Sequence, residues 1–287
     1  MQTITLADGR QLAYSISGKP DGLPLLFHHG TPFTRYASPE GPIAEAGFRL
    51  IRFSRPGYGH SDSNPGRKII DIAGDVRQLI DHLEVERFHV YGWSGGGPHA
   101  LATAAALPDR VMGCAVLGGI APFDAEGLNF LAGMGQDNLD EFGATIQGME
   151  SLERYLGNQM PGMQNVTADD LISVLGSLLP DVDRKVLNQT VAEEMAFSIR
   201  EALEPGMDGW RDDDIAFTRE WGFDLDALKV PLAVWWGDED RMVPAPHGRW
   251  LADNLPGARP YFLKGEGHIS LIERHMAAFL NSLKEPV

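Results

Sequence analysis

Residues 88–107 read Phe88-His89-Val90-Tyr91-Gly92-Trp93-Ser94-Gly95-Gly96-Gly97-Pro98-His99-Ala100-Leu101-Ala102-Thr103-Ala104-Ala105-Ala106-Leu107. An apolar run of strand type meets a serine flanked by glycines, and an alanine-rich stretch of helix type follows, closed by Pro108. A bare Gly-x-Ser-x-Gly is common by chance; the strand before it and the helix after it give this one meaning. A serine hydroxyl is a poor nucleophile unless it is held in the open beside a base. A sharp strand-to-helix turn exposes it, and small neighbours let the chain turn that tightly. The N–H groups at the start of the following helix also favour negative charge developing there.

Outward from this turn the chain keeps one rhythm. Strand candidates are Ile4–Leu6, Leu12–Ser17, Leu25–His28, Leu50–Phe53, Phe88–Gly92 and Val111–Leu117, then Leu232–Trp236 and Pro260–Leu263. The runs from Leu25 to Leu117 are the continuous apolar type found in strands buried on both faces. Helices are predicted over Ile70–Leu83, Ser94–Leu107, Ala245–Asn254 and Ser270–Leu283. Such alternation predicts an α/β class fold, a mostly parallel central sheet flanked by helices. Residues 122–221 break the rhythm. Leu139, Phe142, Ile146, Met149 and Leu156 recur at helical spacing, as do Leu171, Val174, Leu175 and Leu178, and then Leu187, Val191, Met195, Ile199 and Leu203. Thr167 with Asp170 has the pattern of a helix start. The expected organisation is therefore a core of residues 1–121 and 222–287 with a helical cap insertion at 122–221.

A nucleophilic serine needs a histidine to take its proton and an acid to orient that histidine. Gly237-Asp238-Glu239-Asp240 follows one late strand, and Gly265-Glu266-Gly267-His268 follows the next, each at the carboxyl end where parallel sheets place their sites. On the residues alone Asp238, Glu239 and Asp240 all remain candidates for the acid. Among rival histidines, His29 is expected to shape its own loop, His99 to pack in the helix after Ser94, and His247 to begin a helix near the acid loop. His28, His60, His82, His89 and His275 take structural readings.

Taken with His28-His29-Gly30-Thr31-Pro32, Arg55-Pro56-Gly57-Tyr58-Gly59-His60-Ser61 and Val243-Pro244, these motifs make the chain resemble the α/β-hydrolase fold superfamily, of the capped, esterase-like serine hydrolase type. The resemblance covers essentially everything outside residues 122–221. It implies Ser94 as nucleophile, His268 as general base and then acid, and Asp240 as the orienting carboxylate. It also implies an oxyanion hole from the backbone N–H groups of Thr31 and Gly95. Phe33, Trp93 and Tyr58 are expected to form pocket walls. Ser54 stands where many relatives carry Asp, a turn-stabilising group there. Ser94 in place of an aspartate argues against haloalkane and epoxide chemistry, and the prolyl aminopeptidase relatives' His-Gly-Gly-Pro run is missing.

The expected activity is hydrolysis of a small, mostly neutral ester, thioester or lactone through an acyl-enzyme, with no cofactor. Other readings stay open. One is an aminopeptidase-like amidase whose cap acids, Glu193, Glu194 or Glu220, bind an amine. Others are C–C bond hydrolysis, cofactor-free peroxide or oxygen chemistry on the same triad, and a non-catalytic ligand receptor.

Composition narrows the partners. The 287 residues carry 24 Lys+Arg against 40 Asp+Glu, a formal charge of −16, which argues against nucleic acid and an anionic membrane surface. One Cys excludes an internal disulfide framework and a four-Cys zinc site, and no metal is expected. No basic-then-apolar start and no apolar stretch of about 18 residues is visible, so a cytoplasmic protein is expected. The partner is a small-molecule substrate, and a homodimer is left open. Residues 122–221 hold 20 acids and 6 bases, so nearly all the net charge belongs to the insertion. Most of it reads as a solvated outer face, with Asp212-Asp213-Asp214 as a solvated turn. Six of the ten Met residues also fall there (Met134, Met149, Met160, Met163, Met195 and Met207), suited to helix packing or to an irregular apolar pocket.

Overall fold

The apolar runs pair into one sheet because each leaves its backbone donors and acceptors to be satisfied by a neighbour. A computed structural model describes residues 1–35 and 40–284. Its strands are β1 (Gln2–Thr5), β2 (Gln11–Gly18), β3 (Leu23–His28), β4 (Phe48–Phe53), β5 (Phe88–Trp93), β6 (Val111–Leu117), β7 (Leu232–Gly237) and β8 (Arg259–Leu263). They lie in the order β1-β2-β4-β3-β5-β6-β7-β8. The pairs β1–β2 and β2–β4 are antiparallel, and every later pair is parallel. This is the predicted mostly parallel sheet, with strand bounds within about two residues of the apolar runs.

The helices are α1 (Glu40–Glu45), α2 (Ile72–His82), α3 (Gly96–Ala106), α4 (Gln136–Gln147), α5 (Met149–Gln164), α6 (Ala168–Val174), α7 (Asp181–Val186), α8 (Gln189–Leu203), α9 (Asp208–Phe217), α10 (Ala245–Asn254) and α11 (His268–Ser282). Three of them, α1, α7 and α9, carry too short or too charged a pattern to be predicted. The apolar set Leu139–Leu156 is two helices, because Gly148 turns the chain at φ +112 between α4 and α5. Thr167 accepts a bond from the Asp170 N–H at the start of α6.

The sheet separates two buried clusters. Val90, Val116 and Val234 belong to one, with α2, α3 and α10 residues such as Leu79, Leu101 and Leu251. Tyr91, Leu117 and Trp235 belong to the other, with Phe279 and Leu280 of α11 and with Leu152, Leu156, Ile199 and Leu203 from the helical segment between β6 and β7. That second cluster joins the helical segment to the sheet by apolar packing. The motifs noted in the sequence follow the carboxyl ends of β3, β4, β5, β7 and β8.

Candidate active site

The Ser94 turn is held by contacts no side chain could share. Ser94 lies at φ +55, a left-handed conformation that costs a non-glycine residue energy, and its N–H donates to the Leu117 carbonyl at 2.9 Å. A Cβ on Gly92 would stand 2.0 Å from the Gly96 carbonyl oxygen, and one on Gly96 would stand 2.0 Å from that of His28. The glycines therefore let α3 start directly against the ends of β3 and β5, with Ser94 carried at the apex. Strain of this kind persists only where the surroundings fix it.

His268 opens α11. Its Nδ1 lies 2.7 Å from Asp240 Oδ2, and both side chains are buried. The other Asp240 oxygen accepts the Met242 and Val243 N–H groups, each at 2.8 Å, so the carboxylate is fixed by its own loop. The remaining ring nitrogen of His268, Nε2, is buried without a hydrogen-bond partner. Trp93 packs on the imidazole with ring centroids 5.3 Å apart. Burial lowers the His268 pKa, but the Asp240 charge and hydrogen bond, with Asp183 behind them, outweigh it and the net shift is upward. Of the other acid candidates, Asp238 and Glu239 are exposed, and Asp238 accepts the Gly265 N–H at 2.6 Å.

Asp183 falls at a helix start, and nothing local in the sequence marks it as reaching another helix. It sits in α7 yet accepts the N–H groups of His268, Ile269 and Ser270 at 2.9, 3.1 and 2.8 Å. It thus caps α11 from the helical segment and fixes the backbone that carries the histidine. A Cβ on Gly267 would meet its carboxylate at 2.5 Å.

The Asp212-Asp213-Asp214 run corrects the sequence reading most sharply. All three are buried in α9 rather than solvated. Asp213 receives the Arg55 and Arg67 guanidiniums at 2.5 and 2.7 Å, and the hydroxyls of Thr31 and Tyr58 at 2.7 and 2.8 Å. Burial raises its pKa, but the two guanidiniums overwhelm that and hold it far below the carboxylate range. Arg55 also donates to the His29 carbonyl, and its N–H donates to His29 Nε2 at 2.9 Å. One buried carboxylate of α9 therefore ties together the His28–Pro32 loop and the Arg55–Ser61 loop.

Ser94, His268, Thr31 and Gly95 all reach one cavity of about 120 Å³, walled also by Phe33, Trp93, Phe142, Met163, Met195, Trp210 and Phe217. That is near the ~150 Å³ of a cavity that takes up benzene, so it suits a compact group. Gly95 stands against the Thr31 side chain, since a Cβ on it would lie 2.7 Å from the Thr31 hydroxyl oxygen. Tyr58 is not a pocket wall: its ring is buried against His29 and its hydroxyl is turned to Asp213. Glu193, Glu194 and Glu220 are exposed and lie outside the cavity wall, whose acids are Asp137, Glu141 and Asp214. Met163 and Met195 do line it, while Met149 is exposed. His247 is structural: its ring accepts the Ala121 N–H and donates to the Phe130 carbonyl. His99 donates to the Gly95 carbonyl at 2.8 Å, behind the serine turn. No group of three or more potential metal ligands occurs among the described residues, and no helix among them is long and apolar enough to cross a membrane.

Residues 24–275 match the family model described as alpha/beta hydrolase fold. The chain is 30% identical over 248 residues to a 2-hydroxy-6-oxononadienedioate/2-hydroxy-6-oxononatrienedioate hydrolase of Cupriavidus pinatubonensis, covering 83% of this chain and 75% of the relative. Among solved structures it is similar to a thermophilic esterase from Thermogutta terrifontis, with a TM-score of 0.70 at 21% identity over 99% of this chain and 100% of that one. It is also similar to a bromoperoxidase from Bacillus anthracis, with a TM-score of 0.71 at 20% identity, over 99% of this chain and 100% of the other.

Proposed function

Since the chain belongs to the alpha/beta hydrolase fold family, we propose that it is a serine hydrolase cleaving a compact ester, thioester or lactone, with Ser94, His268 and Asp240 as its triad. The observation that carries this reading is a strained, exposed-turn serine sharing a cavity with a histidine whose far nitrogen is already committed to a buried aspartate. In this mechanism His268 Nε2 takes the Ser94 hydroxyl proton as Oγ attacks the carbonyl carbon. Asp240 holds the Nδ1–H tautomer and stabilises the imidazolium. The Thr31 and Gly95 N–H groups face the developing oxyanion, each worth on the order of 10²–10³ in turnover. His268 then returns the proton to the leaving alkoxide or thiolate, and the same base activates water to release the acyl group. The helices of residues 122–221 serve as the cap that walls the acyl pocket and excludes bulk water.

The Cupriavidus relative is named for dioate substrates, which suggests C–C bond hydrolysis as a second reading. A dioate carries two negative charges, and among the described residues the cavity wall holds no Lys or Arg to meet them, while it holds three carboxyl groups. The wall therefore favours a substrate without carboxylates, and with it the ester reading. The test is labelling with a fluorophosphonate beside turnover of an ester, thioester and lactone panel. Wild type should be labelled at Ser94 and turn over at least one class, and Ser94→Ala should lose both by on the order of 10³-fold or more. Full esterase turnover in Ser94→Ala would remove the assignment.

A further inference from the structure

Three acids line a cavity with no cation among its described wall residues, and one of them, Asp214, is 1% exposed. Among the described residues no N–H group donates to either Asp214 carboxyl oxygen; the carboxyl instead meets that of Glu141 closely enough for the two to share a hydrogen bond. Its strongest electrostatic neighbour is Glu141, across the same wall. Glu141 receives the Trp210 indole N–H at 2.7 Å, which leaves it anchored by one bond on the α4 side of the cavity. Asp213, the residue before Asp214, takes the buried Arg55 and Arg67 guanidiniums, and Asp212 is reached by Arg67 and Arg211. The same wall carries the aromatic Phe142, Trp210 and Phe217, with Asp137 and Tyr155 on the Glu141 side.

An unpaired carboxyl buried among such groups is costly, and two facing one another cost more. Burial raises the pKa of both carboxyls, helped at Asp214 by the Glu141 charge and at Glu141 by that of Asp137. A protein keeps such a pair where something else completes it. The complement is a positive charge with hydrogen-bond donors, small enough for an aromatic-walled cavity of about 120 Å³. An organic ammonium meets all three conditions. It supplies up to three N–H donors, to Asp214 oxygens that receive none and to Glu141 beside its Trp210 bond, and its charge offsets theirs in a setting of low dielectric constant. Aromatic faces around it add cation–π attraction. A neutral hydroxyl would supply one donor and leave the excess charge in place.

We propose that Glu141 and Asp214 form a subsite for a protonated amine carried by the substrate, so that the bond broken at Ser94 belongs to an amino-bearing ester or a close acyl analogue. This rests on the hydrolase reading for the identity of the scissile bond, but the ammonium site itself does not depend on catalysis.

Two measurements separate the two claims. Benzylammonium chloride and benzyl alcohol, equal in shape, are titrated calorimetrically at pH 7 into the intact protein. Wild type should bind the ammonium at least tenfold more tightly than the alcohol. Asp214→Asn and Glu141→Gln should each reduce that preference by tenfold or more, while Glu193→Gln, on the outer surface, should keep it. The second measurement is the ratio of kcat/KM for an aminoalkyl ester to that for its uncharged isostere, which should fall at least tenfold in either cavity variant. Equal binding of the two probes by wild type overturns the proposal, as does a preference retained in both cavity variants. Because the variants remove an electrostatic burden, both should fold at least as stably as wild type, and two independent positions guard against one that does not. Ester turnover without ammonium preference removes the subsite and leaves the hydrolase. Ammonium preference with no turnover and no Ser94 labelling does the reverse.

Discussion

Replacing Asp213 by Asn tests whether the buried α9 carboxylate is the joint between the helical segment and the loop that carries Thr31. The substitution preserves shape and removes one charge. In the wild type that charge faces Arg55 at 2.5 Å and Arg67 at 2.7 Å, all three side chains being essentially without solvent contact. Arg67 keeps a second carboxylate, Asp212, at 3.2 Å. Arg55 retains only neutral acceptors, the carbonyls of His29 and Gly30 and the Thr31 hydroxyl. The variant therefore strands one buried guanidinium. Removing one member of such a pair costs about 3–5 kcal/mol. The Thr31 and Tyr58 hydroxyls can still donate to the amide oxygen, so their contribution of about 1 kcal/mol each is partly kept. With a urea slope of roughly 3 kcal/mol per M, the unfolding midpoint should fall by about 1–1.7 M. Asp208→Asn, on the same helix but half exposed, serves as the control and should move stability by no more than about 0.5 kcal/mol. Activity should fall further than the unfolded fraction explains, because the Thr31 hydroxyl and the Arg55 contacts to the His29–Gly30 backbone share one anchor. A loss of under 1 kcal/mol would refute the claim that Arg55 depends on Asp213. A large loss with unchanged kcat below the melting range would refute the claim that this anchor positions the oxyanion loop.

Two further outcomes concern the histidine. The proposed mechanism needs neutral His268, so kcat/KM should rise with pH through its pKa, which the Asp240 charge keeps above what burial alone would give. Asp240→Asn should move that acid limb to lower pH and cut kcat by about 10⁴-fold; an unmoved limb in a pH–rate profile would show that another group titrates. Asp183→Asn should weaken the three-donor cap on α11, destabilise the protein by about 1–3 kcal/mol in chemical denaturation and shift the same limb downward, since the Asp183 charge also favours the imidazolium. A destabilised variant with the limb in place would make Asp183 a helix cap and nothing more.

The sheet was legible because its signals are local. Leu25–His28, Phe88–Gly92 and Val111–Leu117 are short apolar runs between turn residues, and burial on both faces leaves no other use for them. The order Ser94, Asp240, His268 was legible because each residue follows a strand, and a parallel sheet brings such ends together. What escaped was long-range pairing of charge. Nothing local in Trp210-Arg211-Asp212-Asp213-Asp214 distinguishes a helix buried against Arg55 and Arg67 from a solvated turn, because its partners lie about 150 residues earlier in the chain. Asp183 escaped for the same reason: a carboxylate in the first turn of α7 looks like a cap for its own helix, and it caps α11 instead. The sequence reading places Tyr58 in the pocket wall, since an aromatic ring in that loop carries no local sign of the polar group its hydroxyl meets. One hydroxyl directed at Asp213 puts it behind the wall.

The acidity of residues 122–221 therefore has three structural fates, and salt can distinguish two of them. Asp183 and Asp213 are consumed by backbone N–H groups and guanidiniums and offer nothing to a substrate. Glu193, Glu194, Glu204 and Glu220 lie on the outer surface, where they can only raise the local concentration of a cation. Glu141 and Asp214 meet whatever enters the cavity. Surface attraction acts through solvent and is screened with a Debye length of about 30 Å at 0.01 M salt and about 3 Å at 1 M. Contact inside a dry cavity is screened far less. The preference for an aminoalkyl ester over its neutral isostere should therefore persist when ionic strength is raised from 0.01 to 1 M, losing at most a few-fold through the surface contribution. A preference that collapses over that range, with the neutral ester unaffected, would place the selection on the outer helices and leave the buried pair without a role in it.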